Sequence, residues 1–314
     1  MRNLFLILIL LLTASATATA TATSSPTASA TATATATSSA TATKDTVFIC
    51  PLPKDTVVKD TVIVDTVIVD KAVVIRNQST ILIVLDPAHG SDVAGKRSPE
   101  ANKLLKKNSS EPVDSSLVFF EYQFSREIIS NLEPLLDSVS VYHIRSSNSL
   151  KEIGLNKRVY NTNYYASLWK SSPKKLFKDS VGTPSMDSLL KVPDYRRLTF
   201  FLSPHNNAAG YGVLWENARG FSVWTSRHYT YSDIAARFIL EEFQKEFPEI
   251  KIIGSLESNF RVLLCKPYAV LIECLFQDNK KDVLLLNSPE FKFRYTYVLL
   301  RSIIRITTLL TDKY

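Results

Sequence analysis

From Thr80 onward the hydrophobic positions switch repeatedly between two periods. Ile81–Leu85 is an unbroken β-branched and aliphatic run that stops at Asp86-Pro87, the pattern of a strand buried on both faces. Phe120, Phe124, Ile128, Leu132, Leu135 and Leu136 then recur at helical spacing until Asp137-Ser138 interrupts them. Val139–Ile144 alternates and predicts a second strand, and Leu155–Trp169 predicts a helix. Ser171–Arg197 is polar and reads as an inserted loop with one short helix at Ser185–Leu190. Strands are predicted at Leu198–Leu202, Gly220–Thr225, Arg261–Leu264 and Ala269–Cys274. Ser232 is placed to cap a helix running to Phe247, with Ile234, Phe238, Ile239 and Phe243 on one face, and Phe291–Leu310 predicts a final apolar helix.

Strands alternating with helices predict an α/β fold: a single layered domain over residues 80–314, with a mostly parallel twisted sheet flanked by helices. The preceding segment has another character. Met1-Arg2, the aliphatic run Leu4–Leu12 and the small residues Ala14-Ser15-Ala16 form a secretory signal pattern within residues 1–20, or an anchor if it stays uncleaved. Thr13–Thr43 contains only Ala, Thr, Ser and one Pro, too little apolar surface to offset chain entropy, so disorder is expected there. An Asp-Thr-Val repeat of period five follows at Asp55, Asp60 and Asp65. An odd period turns equivalent residues to opposite strand faces, so residues 21–79 read as a linker with at most a short edge strand near Ala72–Ile75.

Composition narrows the class. Only 8 Gly with 10% aromatics excludes collagen-like and globally disordered chains. Leu4–Leu12 is far short of the about 20 residues that span a bilayer, so membrane contact is expected only through the N-terminal segment. The net charge of +7 favours anionic surroundings such as cell wall. The basic residues form no stripe interleaved with aromatics, so no nucleic-acid partner is expected. Three cysteines make no disulfide framework; Cys265 and Cys274 read as buried thiols, with a pair across adjacent strands as the alternative. An exported monomer, periplasmic or secreted, is the expectation.

Sites in open α/β sheets lie beyond the carboxyl ends of the strands. Two of the four histidines fall there: His89 in Asp86-Pro87-Ala88-His89-Gly90, and His205 in Ser203-Pro204-His205-Asn206-Asn207. A catalytic zinc takes three N/O ligands and leaves one position open. His89, His205 and Glu121, at the first turn of the predicted helix, are a candidate set. Glu273 follows Ala-Val-Leu-Ile in a strand that should be buried, so its carboxylate needs a metal, a basic partner or a proton. Arg97 and Arg158 are candidates for orienting a carboxylate, with surface charge as the simpler expectation, and Asn207 for holding ligand or substrate. His143 reads as structural, and His228 as a loop residue able to line a cleft.

These segments resemble the zinc-dependent N-acetylmuramoyl-L-alanine amidases with a His-Glu-His metal site. The family's D-P-G-H-G is similar to Asp86–Gly90, its helix-start Glu to Glu121, its S-I-H-x-N-A to Ser203–Ala208, and its V-E-x-x-F-x-x-N to Ile272–Asn279. Gly95–Pro99 and Asn217–Ser226 also resemble family segments. The departures are Ala88 for Gly, Pro204 for Ile, and insertions before Glu121 and before His205. The resemblance implies that His89, Glu121 and His205 bind Zn²⁺ and that Glu273 is the general base. It also implies that the substrate is peptidoglycan, cut between N-acetylmuramic acid and L-alanine. Another zinc peptidase or carboxypeptidase acting on wall peptides is the competing enzyme class; a non-catalytic wall-binding protein would require a missing ligand.

Overall fold

The computed structural model describes residues 80–106, 110–177 and 189–311. The expected signal, the Ala/Thr tract, the pentamer repeat, Cys50 and most of the Ser185–Leu190 helix lie outside these residues. Six strands form one sheet: β1 (Ile81–Leu85), β2 (Tyr142–Arg145), β3 (Leu198–Asn207), β4 (Phe221–Thr225), β5 (Ile252–Glu257) and β6 (Tyr268–Phe276). Their spatial order is β2-β1-β3-β6-β4-β5. Strands β2, β1, β3 and β6 run parallel, whereas β4 is antiparallel to β6 and carries β5 parallel to itself. The α/β expectation with a mostly parallel sheet is therefore borne out.

Six α-helices accompany the sheet among the described residues: α1 (Pro99–Leu105), α2 (Glu121–Ser138), α3 (Leu155–Ser171), α4 (Tyr231–Glu246), α5 (Lys280–Asn287) and α6 (Pro289–Thr311). None is long and apolar enough to cross a membrane. The alternate side chains of each central strand enter different cores, which is why these strands read as continuous apolar runs. Ile81, Ile83, Phe200, Leu202, Val270 and Ile272 pack on one face with residues of α2, α4 and α6. Leu82, Val84, Phe201 and Leu271 pack on the other with Val159 and Trp169 of α3. Trp169 also donates its indole N–H to the Thr80 carbonyl at 3.1 Å, pinning the far end of α3 to the start of β1. The two described cysteines are unpaired, and they cannot meet because Cys274 lies in the first core and Cys265 in the second.

Several boundaries differ from the sequence expectation. Arg261–Leu264 is a 3₁₀ turn, not a strand; it buries Val262 and Leu263 against the second face, and that packing produced the apolar run. The fifth strand is Ile252–Glu257, an edge strand of half-buried and exposed residues interrupted by Gly254 at φ +129°, so it carries no continuous apolar signal. The second strand starts only at Tyr142, because α2 continues to Ser138 and Ser140 turns the chain at φ 59°. Thr230, not Ser232, caps α4: its hydroxyl accepts from the first turn while Asp233 reaches back to the Thr230 N–H in a capping box.

Candidate metal centre

Strand order determines what can meet. With β1, β3 and β6 as parallel neighbours, their carboxyl ends adjoin, and the residues just past them share one rim of the sheet. His89 sits in the loop after β1, His205 near the end of β3, and Glu273 faces His205 in the β3–β6 register. Glu121 opens α2 and is fully buried. Its backbone N–H, unpaired within the helix, donates to the Lys96 carbonyl at 3.2 Å.

The structure brings His89, Glu121 and His205 together, with one ligand atom from each lying within 4.8 Å of the others. Glu121 Oε1 lies 2.9 Å from His205 Nδ1 and 3.7 Å from His89 Nε2, and accepts the Asn206 N–H at 3.1 Å. The two imidazoles meet edge to face, centroids 4.9 Å apart. Glu121 Oε2, His205 Nε2 and Glu273 Oε2 are buried without hydrogen-bond partners. Unpartnered acceptors are costly in a protein interior. A bound cation would satisfy the first two directly. Donors around a tetrahedral zinc stand about 3.4 Å apart, so small imidazole rotations would close the cluster onto a metal. The donor set fits the ion that the sequence implied.

The electrostatics of the site agree with that use. Burial drives the His89 pKa down from 6.5 to about 4, against the opposing charge of Glu121, so the imidazole is neutral and able to ligate at neutral pH. Burial alone would raise the Glu121 carboxyl, but the hydrogen bond with His205 and the nearby positive groups, Lys96 among them, hold it low and ionised. Burial raises the Glu273 carboxyl; His205 opposes this and Glu121 adds to it. One carboxylate is thereby held as a ligand and the other is inclined to take up a proton.

The His89 loop is held from behind. Asp86, fully buried, accepts from Ser203 Oγ at 2.8 Å and Arg158 Nη1 at 3.1 Å, and also from Ser146 Oγ. Arg158 donates further to the Pro87 carbonyl and, at 3.1–3.2 Å, to Glu152, whose Oε2 stands 4.0 Å from His89 Nδ1. Arg126 donates to the carbonyls of Ala88 at 3.1 Å and His89 at 2.8 Å, and Ser125 Oγ accepts the Ala88 N–H. A Cβ on Gly90 would come within 2.0 Å of the Glu152 nitrogen, so only glycine fits there. His89 itself holds φ 43°, a left-handed conformation that these contacts impose. The surface expectation for Arg158 is thus corrected: it is 2% exposed because it neutralises Asp86. Sequence reasoning missed Arg126 and Glu152; the one available signal was the Asp at a strand end, which requires partners once buried.

Of the other candidates, Arg97 donates to the Val93 carbonyl at 2.8 Å and lies 6.0 Å over the Phe120 ring. Asn207 ends β3 half-buried, its side-chain oxygen accepting the Ala208 N–H. His143 is half-buried with Nδ1 on the Val141 carbonyl at 3.1 Å. His228 is exposed after β4, whose reversed direction puts it at the opposite end of the sheet from the cluster.

Comparison with known proteins agrees with this geometry. The sequence pattern of N-acetylmuramoyl-L-alanine amidases matches residues 83–305, most of the chain. The chain belongs to the N-acetylmuramoyl-L-alanine amidase family. It is an enzyme that hydrolyses the amide between N-acetylmuramic acid and L-alanine in peptidoglycan. Comparison with curated proteins finds no match. Among solved structures, an N-acetylmuramoyl-L-alanine amidase from Clostridium difficile 630 shares the fold at 19% identity and TM-score 0.51, covering 73% of this chain and 96% of that one. The CwlD amidase from Clostridioides difficile, solved in complex with the GerS lipoprotein, aligns at 16% identity and TM-score 0.50 over 73% and 99% of the two chains.

Two outcomes are expected for the amidase. In metal-free protein, NMR titration will place the His89 imidazole near pH 4. The unfolded chain binds more protons between about pH 4 and 6.5, so His89 contributes a loss of stability as pH falls through that window. A midpoint near 6.5 would contradict the burial argument. Arg158→Met, which keeps bulk but leaves Asp86 unpaired and Glu152 untethered, should weaken metal retention about 10- to 100-fold, read by competition with a chromogenic chelator.

Proposed function

We propose that the amidase is zinc-dependent, with His89, Glu121 and His205 as the protein ligands and Glu273 as general base and acid. The observation that carries this reading is the buried, unpartnered Glu121 Oε2 and His205 Nε2 beside His89, with Glu273 directly across from His205. When bound, zinc acidifies a coordinated water and polarises the scissile carbonyl.

The chain's own residues do the rest. Glu121 keeps His205 oriented through the Nδ1 contact while its second oxygen stays available. Glu273 accepts the proton of the attacking water and delivers it to the nitrogen of the departing L-alanine. Its place on β6, between β3 and β4, fixes that carboxylate on a rigid strand. Asn207, at the end of β3, is positioned to meet substrate, and Arg97 to shape the loop before Glu121.

Residues 80–314 form the catalytic domain in this reading, residues 1–20 direct export, and residues 21–79 tether it to reach the wall. The family's substrate lies outside the cytoplasmic membrane, which supports export. All four chemical groups come from one chain, which favours a monomeric catalyst.

Purified protein should contain about one zinc per chain, and it should release stem peptides from peptidoglycan, as read by mass, only when chelator is absent. Undiminished release in chelator would overturn the metal reading. Glu273→Gln should keep zinc and fold but lose hydrolysis by about 10²- to 10⁴-fold. A variant within a few-fold of the unmodified enzyme would make Glu273 structural.

A further inference from the structure

We propose that Lys96 reads a free carboxylate on the stem peptide, and so sets both the orientation of peptidoglycan in the cleft and the preferred charge state of the substrate. This rests on the amidase reading of the site and specifies its substrate.

The argument begins with register. Arg97 and Phe120 form an antiparallel bridge, flanked by the Glu121 N–H to Lys96 carbonyl bond and the Ser98 N–H to Phe119 carbonyl bond. One step along, the Lys96 carbonyl meets the Glu121 N–H at the start of α2. Adjacent residues of an extended segment put their side chains on opposite sides. Arg97 lies on one side, over the Phe120 ring. Lys96 therefore faces the metal centre, and the neighbouring arginine does not. The segment is held there: Gly95 turns at φ 75°, and its carbonyl accepts from Gln277, just beyond the strand that carries Glu273. Consistently, the Lys96 charge acts on His89, Glu121 and Glu273 alike.

Lys96 is half-buried, and no described carboxylate lies in ion-pair contact with it. A cation facing a centre built to hold a cation is unfavourable unless an anion joins them. The substrate can supply one from only one direction. The acetylated sugars are neutral, and the lactyl carboxyl is consumed in the scissile amide. Every free carboxylate near that bond belongs to the peptide, the first being the α-carboxylate of the γ-linked D-glutamate that follows L-alanine. Lys96 therefore marks the peptide side of the cleft. Amidation of that carboxylate, which removes the charge, weakens binding.

The test compares N-acetylmuramoyl-L-alanyl-D-glutamate with its α-amide. The unmodified enzyme should prefer the acid about tenfold in kcat/KM, mainly through KM, as expected for a charge-assisted contact. Lys96→Gln should bring the ratio to about one, and Lys96→Arg should keep most of the preference, with zinc content and melting temperature measured for each variant. An unmodified enzyme indifferent to amidation overturns the proposal, as does a Lys96→Gln protein that loses activity equally on both substrates. Failure to cleave either substrate, or intact peptidoglycan, would instead remove the amidase reading beneath it.

Discussion

The structure is organised around one buried negative charge. Glu121 is excluded from water at the start of α2, where the unpaired helix N–H groups favour an anion but do not by themselves compensate a desolvated carboxylate. One oxygen is satisfied by His205 and the Asn206 N–H, and the other by nothing among the described residues. A protein that keeps such a group must gain from it elsewhere. The two imidazoles brought within reach make a cation the group that would supply that gain. Much of what lies behind the rim serves to hold these three side chains in place against the tendency of the site to relax.

That task explains the layer behind His89. The loop after β1 must project an imidazole from a left-handed residue, and no regular hydrogen-bond ladder holds it. Asp86, Arg158, Glu152 and Arg126 substitute side-chain bonds for the missing ladder, tying Pro87, Ala88 and His89 to α2 and α3. Because Asp86 and Arg158 are both buried, removing Arg158 leaves the Asp86 charge uncompensated, and removing Asp86 leaves Arg158 with Glu152 alone. The pair therefore acts as a unit, and its effect reaches the metal site through loop geometry, not direct contact.

How much of this was visible in the sequence depended on whether a feature is local. The β1 run, the α2 periodicity and the histidines at strand ends are local facts, and they led to the three clustered residues and to Glu273. The edge strand β5 was missed because its inner residues are only half-buried and Gly254 interrupts them, which weakens the hydrophobic contrast on which strand reading relies. Arg261–Leu264 mimicked a strand because a 3₁₀ turn buries adjacent residues as a strand run does. Arg158 was taken for surface charge because its partner lies 72 residues away in sequence, and pairing across such a distance leaves no local trace. The side on which Lys96 or Arg97 faces was equally hidden: it follows from a two-residue bridge to Phe120, not from composition.

The reversed pair β4–β5 completes the argument. In an all-parallel sheet β6 would sit at an edge or beside another parallel strand. Here β4 runs antiparallel to it, placing Ser222 directly opposite Glu273 on one side while His205 faces it on the other. Glu273 is thus flanked on both sides by strand-borne residues, and Ser222 is small enough to leave the carboxylate room beside the cluster. The reversal also turns the loops after β4 and β5 toward the far end of the sheet, away from the rim. Two of the segments at that rim, the Gly95–Arg97 stretch and the loop from Ala208, are joined where Asn102 donates to the Gly212 carbonyl. Tyr211, Val213 and Leu214 stand exposed on that second segment, so this rim combines an apolar side with the charge of Lys96.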